Sequence, residues 1–154
     1  MTRIRFPSNY FVLLQICYTL ILIGMEFEKF SGIVIHGLGL GRQLNFPTAN
    51  LSLQQGQLSP NGVYIVAVQH LNQIYYGIMN IGTRPTTHRS EQSIEIHLLN
   101  FSQDIYNQQL TVEPLCFLRA EQKFANLQAL QSQIEKDKHQ ALDFLSQQHI
   151  NINR

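Results

Sequence analysis

Between Phe30 and Leu118 the apolar residues come in short runs, each cut off by a turn signal, and a chain punctuated in this way builds short strands. Ser31 to His36 is a first strand and runs into the glycine-rich stretch His36-Gly37-Leu38-Gly39-Leu40-Gly41. Pro60-Asn61-Gly62 is a turn, and Val63 to Val68 after it is apolar at successive positions, as in a strand buried on both faces. A turn near Leu71-Asn72-Gln73 leads into Ile74 to Ile81, a hairpin that Gly82-Thr83-Arg84-Pro85 is expected to end. Ser93 to Leu99 alternates: Ile94, Ile96 and Leu98 point one way and Ser93, Glu95 and His97 the other. Thr111 to Leu118 is a further strand in which Pro114 implies an edge or a bulge.

The pattern then changes period. Asn126 has the character of a helix N-cap, and Leu127, Leu130, Ile134, Ala141, Leu142 and Leu145 follow at near-helical spacing. Short strands followed by one amphipathic helix predict an all-β fold, a small closed or nearly closed antiparallel barrel with a C-terminal helix lying on it. No internal repeat or linker divides these elements. With 154 residues, 44% of them hydrophobic, the chain is the size of one domain with one core.

Charge narrows the partners. Only 14% of residues are charged and the net charge is +1, which gives no global field for nucleic acid or an anionic membrane, so an anionic ligand needs a local site. An OB-like barrel for single strands would need a basic groove with stacking aromatics, and the charge argues against it. Cys17 and Cys116 sit in apolar runs without metal or redox spacing; they read as buried spectators, in keeping with a reducing, cytoplasmic setting. Residues 1–24 are an apolar extension. Tyr10 to Ile23 is shorter than the roughly 18 to 20 residues that cross a bilayer, and no cleavage site follows it. A start at Met25 is the favoured explanation, with a membrane-associating helix or an ordered packing segment as the alternatives.

A P-loop, a zinc-ligand histidine pair, a nucleophile elbow and the protein-kinase set are all missing. The segment Gly37 to Leu51 is what remains. Gly37, Gly39 and Gly41 followed by Arg42 would let backbone N–H groups approach a phosphate, although on pattern alone a glycine-rich turn with a solvated arginine outweighs that reading. Thr48 and Asn50, two apart, place two oxygens on one face of an extended backbone and could serve a hard cation, yet turn and capping use is commoner. Glu95 is the one carboxylate on the polar face of its strand, a candidate base or a solvated side chain; His97 shares that face.

Taken in order, these pieces resemble the riboflavin kinase family, the kinase module of bacterial bifunctional riboflavin kinase/FAD synthetases. The resemblance runs from about Phe30 to Ala141 and rests on Gly32-Ile33-Val34-Ile35-His36-Gly37, Leu40-Gly41-Arg42, Phe46-Pro47-Thr48-Ala49-Asn50-Leu51, Pro60-Asn61-Gly62-Val63-Tyr64, Gly77 to Thr86, Ile94-Glu95-Ile96-His97-Leu98-Leu99 and Phe117 to Phe124. It implies a six-stranded antiparallel Greek-key β-barrel with a C-terminal helix, residues 25–154 forming the kinase domain. The implied reaction moves the ATP γ-phosphate to the 5′-hydroxyl of riboflavin, giving FMN and ADP.

By the same resemblance Thr48 and Asn50 hold Mg²⁺, with Zn²⁺ or Mn²⁺ as other metals, and Glu95 is the base. Gly37, Gly39, Gly41, Arg42, Pro47, Thr48 and Asn50 belong to the nucleotide side, and Arg119, Glu121 and Phe124 to the flavin side. The implied partners are riboflavin/FMN and ATP/ADP, with no nucleic acid and no membrane, on a monomer. A non-catalytic flavin- or small-ligand-binding barrel of the same descent is the alternative. Three positions depart from the family pattern: Asn45 and Asn107 stand where glycine is usual, and Thr87 stands where an aromatic is expected. Asparagine is the non-glycine residue that best tolerates a left-handed backbone, so the first two are mild. No nucleotidyltransferase motif occurs in residues 1–30, so FAD synthesis is not expected of this chain.

Overall fold

The computed structural model describes residues 27–85 and 90–152, with the side chains of 84–91 left aside. The apolar extension, Cys17 and Thr87 lie outside the described residues. Six strands, β1 (Phe30–Ile35), β2 (Ala49–Gln55), β3 (Gly62–His70), β4 (Gln73–Pro85), β5 (Ser90–Leu98) and β6 (Gln109–Arg119), close into a barrel in the order β1-β2-β5-β4-β3-β6. All six pairings are antiparallel. Strands β3, β4 and β5 form consecutive hairpins, and β2 lies beside β5 at their far side, which is the Greek-key arrangement. A helix α1 (Leu40–Gln43) interrupts the glycine stretch, and α2 (Leu127–Gln147) follows the last strand.

Alternation along each strand makes two cores. Val34, Leu51, Tyr64, Val66, Met79, Ile81, Ile94, Ile96 and Val112 fill the barrel. Val63, Ile65, Ile78, Cys116 and Leu118 point outward and are covered by Ala141 and Leu145 of α2. Strand β3 is thus buried on both faces, as its unbroken apolar run predicted. Asn126 caps α2: its backbone is extended and its side-chain oxygen accepts from the Ala129 N–H at 2.8 Å.

The Pro114 expectation holds in both its forms. Register slips between Ile65 and Val66, whose partners are Cys116 and Pro114, so Leu115 is the extra residue of a bulge. Pairing of β6 with β1 has already ended at Phe30 and Val112, so the missing proline N–H faces no strand there.

Several expectations need correction. Strand β4 does not stop at Ile81, because Gly82 through Pro85 pair with Ser93 through Ser90 of β5, and the strand ends only at Pro85. Ala49–Gln55, read from sequence only as possible extended backbone, is a full strand between β1 and β5. Leu127, placed on the apolar stripe, is 53% exposed and takes no part in either core cluster. Cys116 is buried, as the spectator reading expected, and it is disulfide-bonded, which that reading did not foresee.

Asn45 and Asn107 both take a positive φ, 64° and 60°, so asparagine occupies left-handed positions at the two sites where glycine was the expected residue. Leu71, in the β3–β4 turn, does the same at φ 54° while 77% exposed, and a leucine gains nothing there to offset the strain. Leu71→Gly is expected to stabilise the fold by roughly 1 kcal/mol. Urea unfolding followed by circular dichroism reads this, and an unchanged or lower midpoint would contradict the strain.

Candidate functional site

Antiparallel partners project from the same face, so the register lays out the site. Glu95 pairs with Asn50 on one side and with Asn80 on the other. Asn80 in turn pairs with Val63, and Val63 with Arg119. One transverse row, Asn50–Glu95–Asn80–Val63–Arg119, therefore crosses β2, β5, β4, β3 and β6 on the outer face of the barrel. Glu95, Asn80, Val63 and Arg119 all line one cavity of about 330 Å³, which Glu121 and Phe124 complete after β6 and Leu130, Ile134 and Asp137 roof from α2. The three residues of the expected flavin side come together here with the expected base.

A second cavity, about 240 Å³, opens on the other side of the β2 entry and takes in Arg42, Pro47 and Thr48. Its wall also includes Val34, Phe101, Asp104, Ile105 and Tyr106. The His36 ring stacks on Tyr106 with centroids 3.9 Å apart. Thr48 lines both cavities, so it stands at their junction.

What places Thr48 is a tightly folded turn. The Phe46 N–H donates to the Gly41 carbonyl at 2.8 Å, and Asn45 ends α1 in the left-handed conformation that a glycine usually supplies after a helix. The Phe46 ring is buried, meets His97 edge-on at 5.5 Å and has the Lys138 ammonium 5.9 Å from its centroid. His97 Nδ1 donates to the Pro47 carbonyl at 2.9 Å, which fixes the tautomer since a carbonyl can only accept.

Two of the glycines have a steric reason different from the one the sequence suggested. A Cβ on Gly37 would lie 2.1 Å from the Asn50 amide nitrogen, and one on Gly41 would lie 2.3 Å from the Phe46 carbonyl and 3.3 Å from the Thr48 hydroxyl. Each glycine thus lets the backbone close over one of the two oxygen-bearing side chains. Gly39 is left-handed at φ 72° with open space around it; it starts α1 and touches neither cavity. Asn50 is buried at 7% and belongs to the row without lining either cavity.

On the far side, Arg119 gives Nε to Asp137 at 2.9 and 3.1 Å and Nη2 at 2.8 Å, and its guanidinium lies 5.9 Å from the Phe124 centroid. Glu121 accepts from Asn61 at 3.1 Å, and the same Asn61 amide donates to Thr83 at 2.7 Å and its oxygen accepts from Gln92 at 3.1 Å. Asn61, Asn80, Tyr106 and Asp137 were not among the sequence candidates. Asp137 had a signal: it is a carboxylate in phase with the stripe of Ile134 and Ala141. Asn80 lies inside the Gly77 to Thr86 piece that carries the family resemblance, but its place beside Glu95 shows only in the strand register.

A family profile described as riboflavin kinase (Flavokinase) matches residues 26–145. The chain belongs to the riboflavin kinase family. It is 42% identical over 120 residues to a bifunctional riboflavin kinase/FMN adenylyltransferase of Bacillus subtilis (strain 168), covering 75% of this chain and 38% of that protein. The chain therefore spans well under half the length of this relative. Among solved structures, a riboflavin kinase from Trypanosoma brucei matches with a TM-score of 0.52 and 25% identity, over 77% of this chain and 79% of that one. A Streptococcus pneumoniae protein titled a macrolide-efflux protein matches with a TM-score of 0.71 and 30% identity, over 86% of this chain and 45% of that one. No helix among the described residues is long and apolar enough to cross a membrane.

Burial holds the His97 pKa below the ordinary histidine value and Lys138 pushes the same way, with the Pro47 bond and Glu135 opposing. In the unfolded chain a histidine titrates near about 6.5, so between that value and its lower folded pKa the unfolded state binds more protons. His97 therefore favours the fold fully above that range and loses this contribution as pH falls through it. His97→Asn is expected to flatten the fall in melting temperature between about pH 7.5 and about pH 5, and a parallel profile for both proteins would refute it.

Proposed function

We propose that this chain is a riboflavin kinase, residues 25–154 forming its catalytic domain, and that it transfers the γ-phosphate of ATP to the 5′-hydroxyl of riboflavin. The observation that carries the reading is Thr48, which lines both cavities and so marks where two substrates meet. The cavity walled by Arg42, Pro47, Phe101 and Tyr106 takes the nucleotide: aromatic rings suit a purine and Arg42 suits its phosphates. The cavity walled by Arg119, Glu121 and Phe124 takes the flavin, whose ring needs a largely apolar slot with a few polar groups.

The two residues read as metal ligands both offer oxygens. Thr48 offers a hydroxyl and Asn50 an amide carbonyl, and among the described residues no group of three histidine, cysteine or acidic side chains could hold a metal. A hard cation bound through few protein oxygens, phosphates and water fits this set, which favours Mg²⁺ over Zn²⁺. When bound, such a cation neutralises charge on the β- and γ-phosphates. The protein's own part is positioning. Gly37 and Gly41 close over Asn50 and Thr48, and Glu95 accepts the proton of the 5′-hydroxyl as its oxygen bonds to the γ-phosphorus and the bond to the ADP oxygen breaks. Need for ATP makes the cytoplasm the compartment of this reading. The non-catalytic alternative gains nothing from a barrel in which Thr48, Asn50 and Glu95 are all retained.

The purified protein should convert riboflavin and MgATP into FMN and ADP, read by chromatography, and no product would refute the proposal. Glu95→Gln should lower kcat by about 100-fold or more with little change in the KM for ATP, whereas normal turnover would remove Glu95 as the base. Thr48→Ala and Asn50→Ala should shift the Mg²⁺ titration of activity to higher concentration, and an unmoved titration would exclude them as ligands.

A further inference from the structure

Asp137 is a carboxylate at 2% exposure in the middle of the apolar face of α2. Docking the helix does not need it, because Ala141 and Leu145 already cover the outer sheet. A buried ion pair seldom repays its desolvation in stability, so the pair has to be explained by the geometry it imposes. Both carboxylate oxygens are engaged by Arg119, and Gln133, one turn earlier on α2, donates to Oδ1 at 2.9 Å. Arg119 Nη1 also donates to the Ala120 carbonyl at 3.0 Å. Of five guanidinium N–H groups these bonds engage Nε, one on Nη1 and one on Nη2, so one on each terminal nitrogen is uncommitted among the described residues.

We propose that Asp137 is the positioning residue of the acceptor side: it fixes the Arg119 guanidinium so that its two uncommitted N–H groups serve ring acceptors of the flavin, such as the carbonyls of its pyrimidine edge. The inference rests on reading the Arg119–Phe124 cavity as the flavin site. Affinity for the flavin is then set from α2, through a residue that donates nothing to the ligand itself. The nucleotide cavity shares no wall with Asp137, Gln133 or Arg119, so the effect is confined to one substrate.

Asp137→Asn should weaken riboflavin binding, followed by flavin fluorescence quenching, and raise the riboflavin KM by about tenfold, with the ATP KM unchanged. Added to Arg119→Gln, it should cost no further riboflavin affinity, because its effect runs through that arginine. Gln133→Met, which removes only the bond to Oδ1, should give a smaller loss of the same kind and decides the matter where Asp137→Asn does not fold. Unchanged riboflavin affinity in the variants that fold, equal rises in both KM values, or fully additive losses would overturn the positioning role. Wild-type protein that bound no riboflavin would instead overturn the flavin assignment, and this role with it.

Discussion

Side chains alternate along a strand with period two, so the register that pairs Glu95 with Asn50 and Asn80 decides which face of the barrel carries chemistry. A slip of one residue at β5 would turn both Ile94 and Ile96 outward and put Glu95 among Met79, Ile81 and Val66. That slip is doubly unfavourable, because it exposes large apolar groups and buries a carboxylate in a hydrocarbon core. The same apolar alternation that builds the interior therefore holds the polar row outside, and closure leaves no free edge along which β5 could shift. Position of the site is a by-product of core packing.

Register alone does not place Thr48, which precedes β2. Its location depends on a turn drawn tight by backbone contacts, with Phe46 as the anchor: the ring is buried, its N–H is tied to Gly41, and the next carbonyl is held by His97 from β5. Side chains at positions 37 and 41 would push this turn off Asn50 and Thr48. Glycine serves here less for conformational freedom than for close approach, since of the three alternate glycines only Gly39 has a positive φ.

Much of this was legible in the sequence, and the reasons differ by element. Strand β5 announced itself by strict alternation and α2 by its cap and its 3.6-residue stripe, because both have one buried and one exposed face. Strand β2 was passed over although Ala49, Leu51 and Leu53 alternate with Asn50, Ser52 and Gln54 and Gly56 follows at φ 92°; its burial departs from its pattern, with Asn50 buried at 7% and Leu53 40% exposed. Gly82 misled because a glycine in a strand usually marks an end, whereas here the missing side chain admits the Glu121 carboxylate, an Oε1 lying 2.4 Å from where a Cβ would be. Thr48, Glu95 and the Arg119–Phe124 group were found through the family resemblance, since each residue type has a commoner structural use. Asn80 and Asn61 sit in pieces that carried the resemblance, yet they were not singled out, because their neighbours in the site come from strands distant in sequence.

Helix α2 shows how stability and function divide along one element. Its second half, with Ala141 and Leu145, buries apolar surface against the outer sheet and holds the helix in place. Its first half, with Leu130, Ile134 and Asp137, roofs a cavity and so leaves apolar surface without a partner in the chain. A helix held at one end and open at the other can roof a substrate without giving up its docking. The Arg119–Asp137 pair sits at the boundary between these halves and joins β6 to α2. An apolar pair would hold the helix as well, but dispersion contacts have no preferred direction, whereas a fork of N–H groups on a carboxylate has only a narrow set of orientations. Direction is what an acceptor site requires, and an ion pair supplies it where a larger apolar side chain could not.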